Sequence, residues 1–196
     1  MRPLAFAALL LAGDAALAQN LFINPDLDDG PSGWVLGCGT DLQWIADDEA
    51  SCPGSGSLHV TGAPCMGSEG AGAGQCVPAT GLAQLSVSGR VRATAGFAVI
   101  FLAYFESVDC SGAEIDTALL PVGAPPGQWQ TVSLPVAVPP PATNSILVGI
   151  GAGSSGPVDA DIDAGYAGAL PLIFRDGFEG DLAAFPPGCR WDAAVP

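Results

Sequence analysis

The residues that could do chemistry are few and scattered. His59 is the single histidine and sits between Leu58 and Val60, with no Gly-x-Ser-x-Gly elbow near it to supply a nucleophile. It reads as a structural or surface histidine. Asp159, Asp161 and Asp163 alternate with Ala160, Ile162 and Ala164, so three carboxylates share one strand face, where they repel unless water or a hard cation intervenes. Glycosidases run on a carboxylate pair, but most acids here fall in turns and their abundance is no signal. The glycine-rich stretch from Gly67 to Gly74 precedes no helix and carries no lysine, which argues against a phosphate cradle. No CxxC pair or second histidine offers a zinc site. No catalytic constellation is present, and the expected function is not enzymatic.

Six cysteines (Cys38, Cys52, Cys65, Cys76, Cys110 and Cys189) form an even set. An even set in an exported chain argues for disulfides, with fifteen possible pairings. Export is the expectation from the amino terminus: Arg2, an apolar run from Leu4 to Ala12, and Ala16-Leu17-Ala18 read as a signal peptide over 1–18. The run is too short to span a membrane, and Gln19 rather than a lipid-bearing cysteine follows the cut. The protein is therefore expected to be secreted, in the periplasm or outside the cell, without membrane insertion. Over the 196 residues there are 20 Asp and Glu against 5 Lys and Arg, a net charge of −15, and no lysine at all. Nucleic acid and anionic membranes are poor partners for such a surface; neutral polymers, cations and other proteins remain.

The elements that must position these side chains are strands. Glycine and proline recur too often for helical periodicity, while extended stretches recur at 20–23, 41–46, 57–61, 82–92, 97–106, 115–120, 129–136, 145–151 and 157–166. That pattern predicts an all-β antiparallel sandwich or barrel. Leu85, Val87, Gly89 and Val91 alternate with Gln84, Ser86, Ser88, Arg90 and Arg92, the pattern of a half-buried strand. A hairpin around Thr94-Ala95-Gly96 would set Val91 beside Val99, Val87 beside Ala103 and Leu85 beside Phe105. Its other face would then gather Gln84, Arg90, Tyr104 and Glu106 as a glycan-binding surface, Tyr104 stacking and the others bonding hydroxyls. The same hairpin brings Cys110 close to Thr80, a few residues from Cys76, which makes Cys76–Cys110 the first choice of bridge.

"NPDLDDGPSGW" at 24–34, "GSGSLHV" at 54–60, "VDCSG" at 108–112, "GQWQTVSLPV" at 127–136 and "VDADIDAGY" at 158–166 together resemble a known group. They are similar to the galactose-binding-like jelly rolls of bacterial carbohydrate-binding modules, the kind appended to xylanases and related glycanases. The resemblance covers about residues 20–168 and implies a β-sandwich domain over 19–168. It implies a structural calcium ion shared by Asp28 and Asp161, although "NPDLDDG" departs from the usual Asn-Gly-x-Phe-Glu-x-Gly at Pro25, Leu27 and Asp28. It also casts Trp34 and Trp129 as packing tryptophans. The remainder, 169–196, resembles a carboxy-terminal "DGFE" segment of some secreted proteins and is expected to form a last strand and turn pinned by Cys189, or else a tag for export.

These readings converge on a secreted, monomeric, non-catalytic module that binds a carbohydrate polymer or cell-surface component. The alternative is a structural or protein-interaction component of the bacterial envelope or secretome.

Overall fold

The computed structural model describes residues 20–38, 41–47, 55–63, 70–122, 126–154 and 156–169. The expected signal peptide, the segment beyond Ala169, and Cys52, Cys65 and Cys189 lie outside the described residues. Every regular element within them is a strand: β1 (Val35–Cys38), β2 (Asp41–Ile45), β3 (Ser57–Gly62), β4 (Gly70–Pro78), β5 (Leu85–Ala95), β6 (Phe97–Phe105), β7 (Glu114–Val122), β8 (Gln130–Ala137), β9 (Ser145–Gly153) and β10 (Val158–Gly168). They form two antiparallel sheets, a front sheet in the order β2-β3-β10-β5-β8 and a back sheet in the order β1-β4-β9-β6-β7. The architecture is the β-sandwich jelly roll that the sequence predicts.

Period-two alternation builds the core. Leu58 and Val60 of β3, Leu85, Val87 and Val91 of β5, and Ala160 and Ile162 of β10 face Ile100 and Leu102 of β6 and Ile146, Val148 and Ile150 of β9, all almost wholly buried. Each large side chain among them contributes roughly 1.5–3 kcal/mol by leaving water. The amino-terminal turns close one end. Trp34 packs on Phe22 with ring centroids 4.9 Å apart and donates its Nε1–H to the Asn24 carbonyl at 3.0 Å. It is the packing tryptophan that the sequence resemblance implies. The expected strand at 20–23 is instead a run of bends, tied to β10 by the Leu21 amide, which donates to the Ala167 carbonyl at 2.7 Å.

The expected β5–β6 hairpin does not form. Chain neighbours though they are, β5 pairs with β10 and β8 while β6 pairs with β9 and β7. The chain crosses between sheets at Gly96, whose φ of 98° is left-handed territory and whose missing Cβ leaves room for the Gly153 carbonyl. The crossing sets the apolar side of β5 across the core from Ile100, Leu102 and Tyr104, so these three point inward.

The Cys76–Cys110 bridge is nevertheless present, with a Cα–Cα distance of 5.8 Å. A different geometry supplies it. β4 and β6 flank β9, both antiparallel to it, so they run the same way and finish level with Ser145, at Pro78 and Phe105. The loop after β6 then folds back across β9. The buried Ser145 hydroxyl donates to the Ser107 carbonyl at 2.8 Å and accepts from the Cys110 amide at 2.9 Å, which holds Cys110 over Cys76. Within that loop Ser111 donates to the Asp109 carboxylate through its hydroxyl and its amide, and these bonds keep the exposed Asp109 carboxyl below its ordinary range.

Candidate functional site

The outward face of the front sheet carries a polar row that crosses four strands, β2, β3, β10 and β5, and reaches the residue ahead of β8. Gln43 of β2 is level with His59 of β3, His59 with Asp161 of β10, and Asp161 with Arg92 of β5. Arg92 in turn lies over Trp129, just ahead of β8, with its guanidinium carbon 4.8 Å from the ring centroid. Strand alternation explains the row. The inward partners of these residues, Leu58, Val91 and Ile162, fill the core and leave the other parity facing out.

Hydrogen bonds lock the centre of the row. Asp161, with a side chain only 6% exposed, accepts from His59 Nδ1 at 2.8 Å and from Arg92 Nε at 2.9 Å, one partner on each carboxylate oxygen. Arg92 also reaches Asp47 through Nη2 at 2.6 Å. Asp47 is steadied from below by the Ser57 hydroxyl, which donates to its carbonyl at 2.5 Å. The Asp47 bond, with Asp161 adding to it against partial burial, raises the Arg92 pKa, so the guanidinium stays charged. Because Asp161 holds Nδ1, the Nε2 edge of His59 is left for another partner. The next row sets Arg90 opposite Asp163 and Thr131, to whose hydroxyl it donates at 2.5 Å.

Above these rows is an open hollow of about 660 Å³, lined by Ile45, His59, Arg92, Thr94, Gly127, Asp159 and Asp161. Its upper wall is fixed by the Gly127 amide, which donates to the Ala93 carbonyl at 2.8 Å. The hydroxyl among the described lining residues is that of Thr94, and it donates to the Asp159 carbonyl at 3.2 Å. The arrangement sets hydrogen-bond acceptors and donors side by side along a trough, with the Trp129 indole against Arg92.

The four side chains expected to make one glycan surface are dispersed. Arg90 alone stands on the strands under this face. Tyr104 lies in the inter-sheet core at 5% exposure, and burial, followed by the charge of Asp116, pushes its hydroxyl above its ordinary pKa. A sugar cannot stack on it. Glu106 follows β6 at the rim of the back sheet, where its carbonyl accepts from Asn144. Gln84 sits ahead of β5 and donates to the Ala169 carbonyl at 3.3 Å. Trp129, cast as a packing tryptophan, packs its ring against the guanidinium of Arg92, which lines the hollow.

The expected calcium does not fit at Asp161. Both of its oxygens are already taken by hydrogen bonds, the Arg92 charge beside one of them would repel a cation, and Asp28 stands on the exposed amino-terminal turn. No group of three or more metal-ligating side chains gathers among the described residues. The repulsion expected along β10 is relieved by Arg92 and His59 on Asp161, while Asp163 accepts from the Ala164 amide at 2.7 Å.

No family model matches the chain, and no curated protein does. Solved structures do. A family 16 carbohydrate-binding module superposes with a TM-score of 0.50 at 18% identity, over 76% of this chain and 99% of that one. A xylan-binding domain of carbohydrate-binding module family 22 gives 0.51 at 18% identity, over 82% and 99%. The enzymatically active domain of tailspike protein 4 from bacteriophage CBA120 gives 0.52 at 17% identity, and there the chain spans only 21% of the phage protein. The fold is thus the β-sandwich of carbohydrate-binding modules. The two modules, each matched over 99% of its length, are binding domains by name.

Proposed function

We propose that this protein is a non-catalytic, exported module that binds a carbohydrate polymer in the hollow on its front sheet. The observation that carries the proposal is the locked row His59–Asp161–Arg92, with Trp129 packed against Arg92, along an open trough of about 660 Å³. Such a row presents pre-oriented polar groups at little entropic cost on binding. The likeness to binding domains supports the same reading. Export is supported by the Cys76–Cys110 disulfide, a bond that persists in oxidising compartments. Among the described residues no helix is long and apolar enough to cross a membrane.

The test is a glycan array and an insoluble-polysaccharide pull-down with the oxidised protein, with and without chelator, repeated on Trp129→Ala and Arg92→Ala. Retention by a defined polymer, weakened at least about ten-fold in both variants while they still melt cooperatively, is the expected result. No retention on plant, bacterial or chitin-like polymers would shift the weight to a protein-interaction role. The exposed Val136 and Val138, at 47% and 74%, on and just past the edge strand β8 favour that alternative.

A further inference from the structure

The hollow is unbalanced in charge. Asp159 and Asp161 line it, and Arg92, the arginine among its described lining residues, is already bonded to Asp161 and to Asp47 beyond it. Arg90, the other described arginine of this face, is engaged with the Thr131 hydroxyl. Asp161 is taken on both oxygens. Asp159 differs from its neighbours. Its backbone carbonyl accepts from the Thr94 hydroxyl at 3.2 Å, but its half-buried carboxylate has no hydrogen-bond or ion-pair partner among the described residues.

A ligand lying in the trough strips water from that carboxylate. A neutral sugar returns hydrogen bonds but leaves the charge uncompensated in a drier setting, whereas an ammonium group returns both. A uronate adds a second negative charge where the described arginines of this face are already engaged, on a chain already at −15. Resting on the carbohydrate-binding reading above, we infer that the hollow takes an amine-bearing glycan, a polymer of unacetylated amino sugars, with Asp159 as the carboxylate that pairs with the sugar ammonium.

Calorimetric titration tests this with three oligosaccharide probes at one fixed ionic strength: a glucosamine oligomer, its fully N-acetylated counterpart and an oligogalacturonate. The protein is the full oxidised chain, beside Asp159→Asn and the control Asp116→Asn, which removes an exposed charge on the opposite sheet. The glucosamine oligomer is expected to bind at least about ten-fold more tightly than the acetylated one, with no binding of the uronate. Asp159→Asn erases that preference and Asp116→Asn keeps it. Equal losses in both variants would overturn the inference, since diffuse net charge would then account for binding. So would equal or tighter binding of the acetylated oligomer, which leaves the carbohydrate-binding reading standing. Failure to bind any of the three, together with a blank polysaccharide screen, overturns both.

Discussion

Asp161 holds His59 and Arg92 at once, one on each carboxylate oxygen, at 2.8 and 2.9 Å. The carboxylate is buried in the outward face of a sheet, so this double contact is what lets β10 carry an acid where a hydrophobic residue would cost less. Asp161→Asn keeps the shape and removes the charge. Its expected cost is about 2 kcal/mol, the worth of a hydrogen bond to a charged group in a partly solvated setting. Urea unfolding measures it, and a change within error would show that Asp47 alone suffices to hold Arg92.

Tyr104 separates a core role from a binding role. Tyr104→Ala is expected to lose about 3–5 kcal/mol of stability, the range for emptying an aromatic core site. Tyr104→Phe is expected to leave glycan retention unchanged, and a loss of retention in a stably folded Phe variant would return the residue to the binding surface.

The same side chain sets a pH dependence. Burial, followed by the Asp116 charge, raises its pKa in the folded state, so above about pH 10 the unfolded chain loses a proton that the folded one keeps. Stability is therefore whole below that pH and falls as pH rises past it. Tyr104→Phe should flatten this alkaline fall, which chemical unfolding across pH 8–11 tests; parallel curves for the two proteins would contradict it.

Cys76 and Cys110 close a loop with a sequence separation of 34. By chain entropy their bridge is worth about 3–4 kcal/mol. The Cys76→Ser, Cys110→Ser pair should melt correspondingly lower yet fold to the same sheets by circular dichroism, because Ser145 still pins the loop through Ser107.

Gly151 marks where β9 meets β4. A Cβ there would stand 2.1 Å from the Ala71 carbonyl oxygen, and this backbone group cannot move aside without breaking the ladder. Gly151→Ala is expected to cost at least about 2 kcal/mol. Gly81 has open space around it but φ of +77°, and Gly81→Ala should cost about 1 kcal/mol from backbone strain alone. Comparable losses at the two sites would show that β9 shifts to accommodate the methyl.

The sequence by itself determined most of the strands, since alternation with period two is a local property. Leu85, Val87 and Val91 point inward with Arg90 and Arg92 on the other parity, as their spacing requires. It also determined the sandwich class and the six-cysteine, acidic, lysine-free character that narrows the partners. Two strands escaped it. β4 reads as a glycine loop, and it is a strand because Gly70, Gly72 and Gly74 lie opposite Gly153, Gly151 and Gly149 across a close ladder. β1 is only four residues long.

Only the tertiary structure decided which sheet each strand joins, and with it the site. For β6, apolar on both parities, local pattern fits either face, and the choice was made by β9 and β7 rather than by its chain neighbour β5. That choice buries Tyr104. The row over the front sheet joins residues 102 and 69 positions apart, His59 and Arg92 to Asp161. No local period encodes such distances; the register of β10 between β3 and β5 sets them, because one core face shared by two sheets admits only one alignment of the strands that fill it.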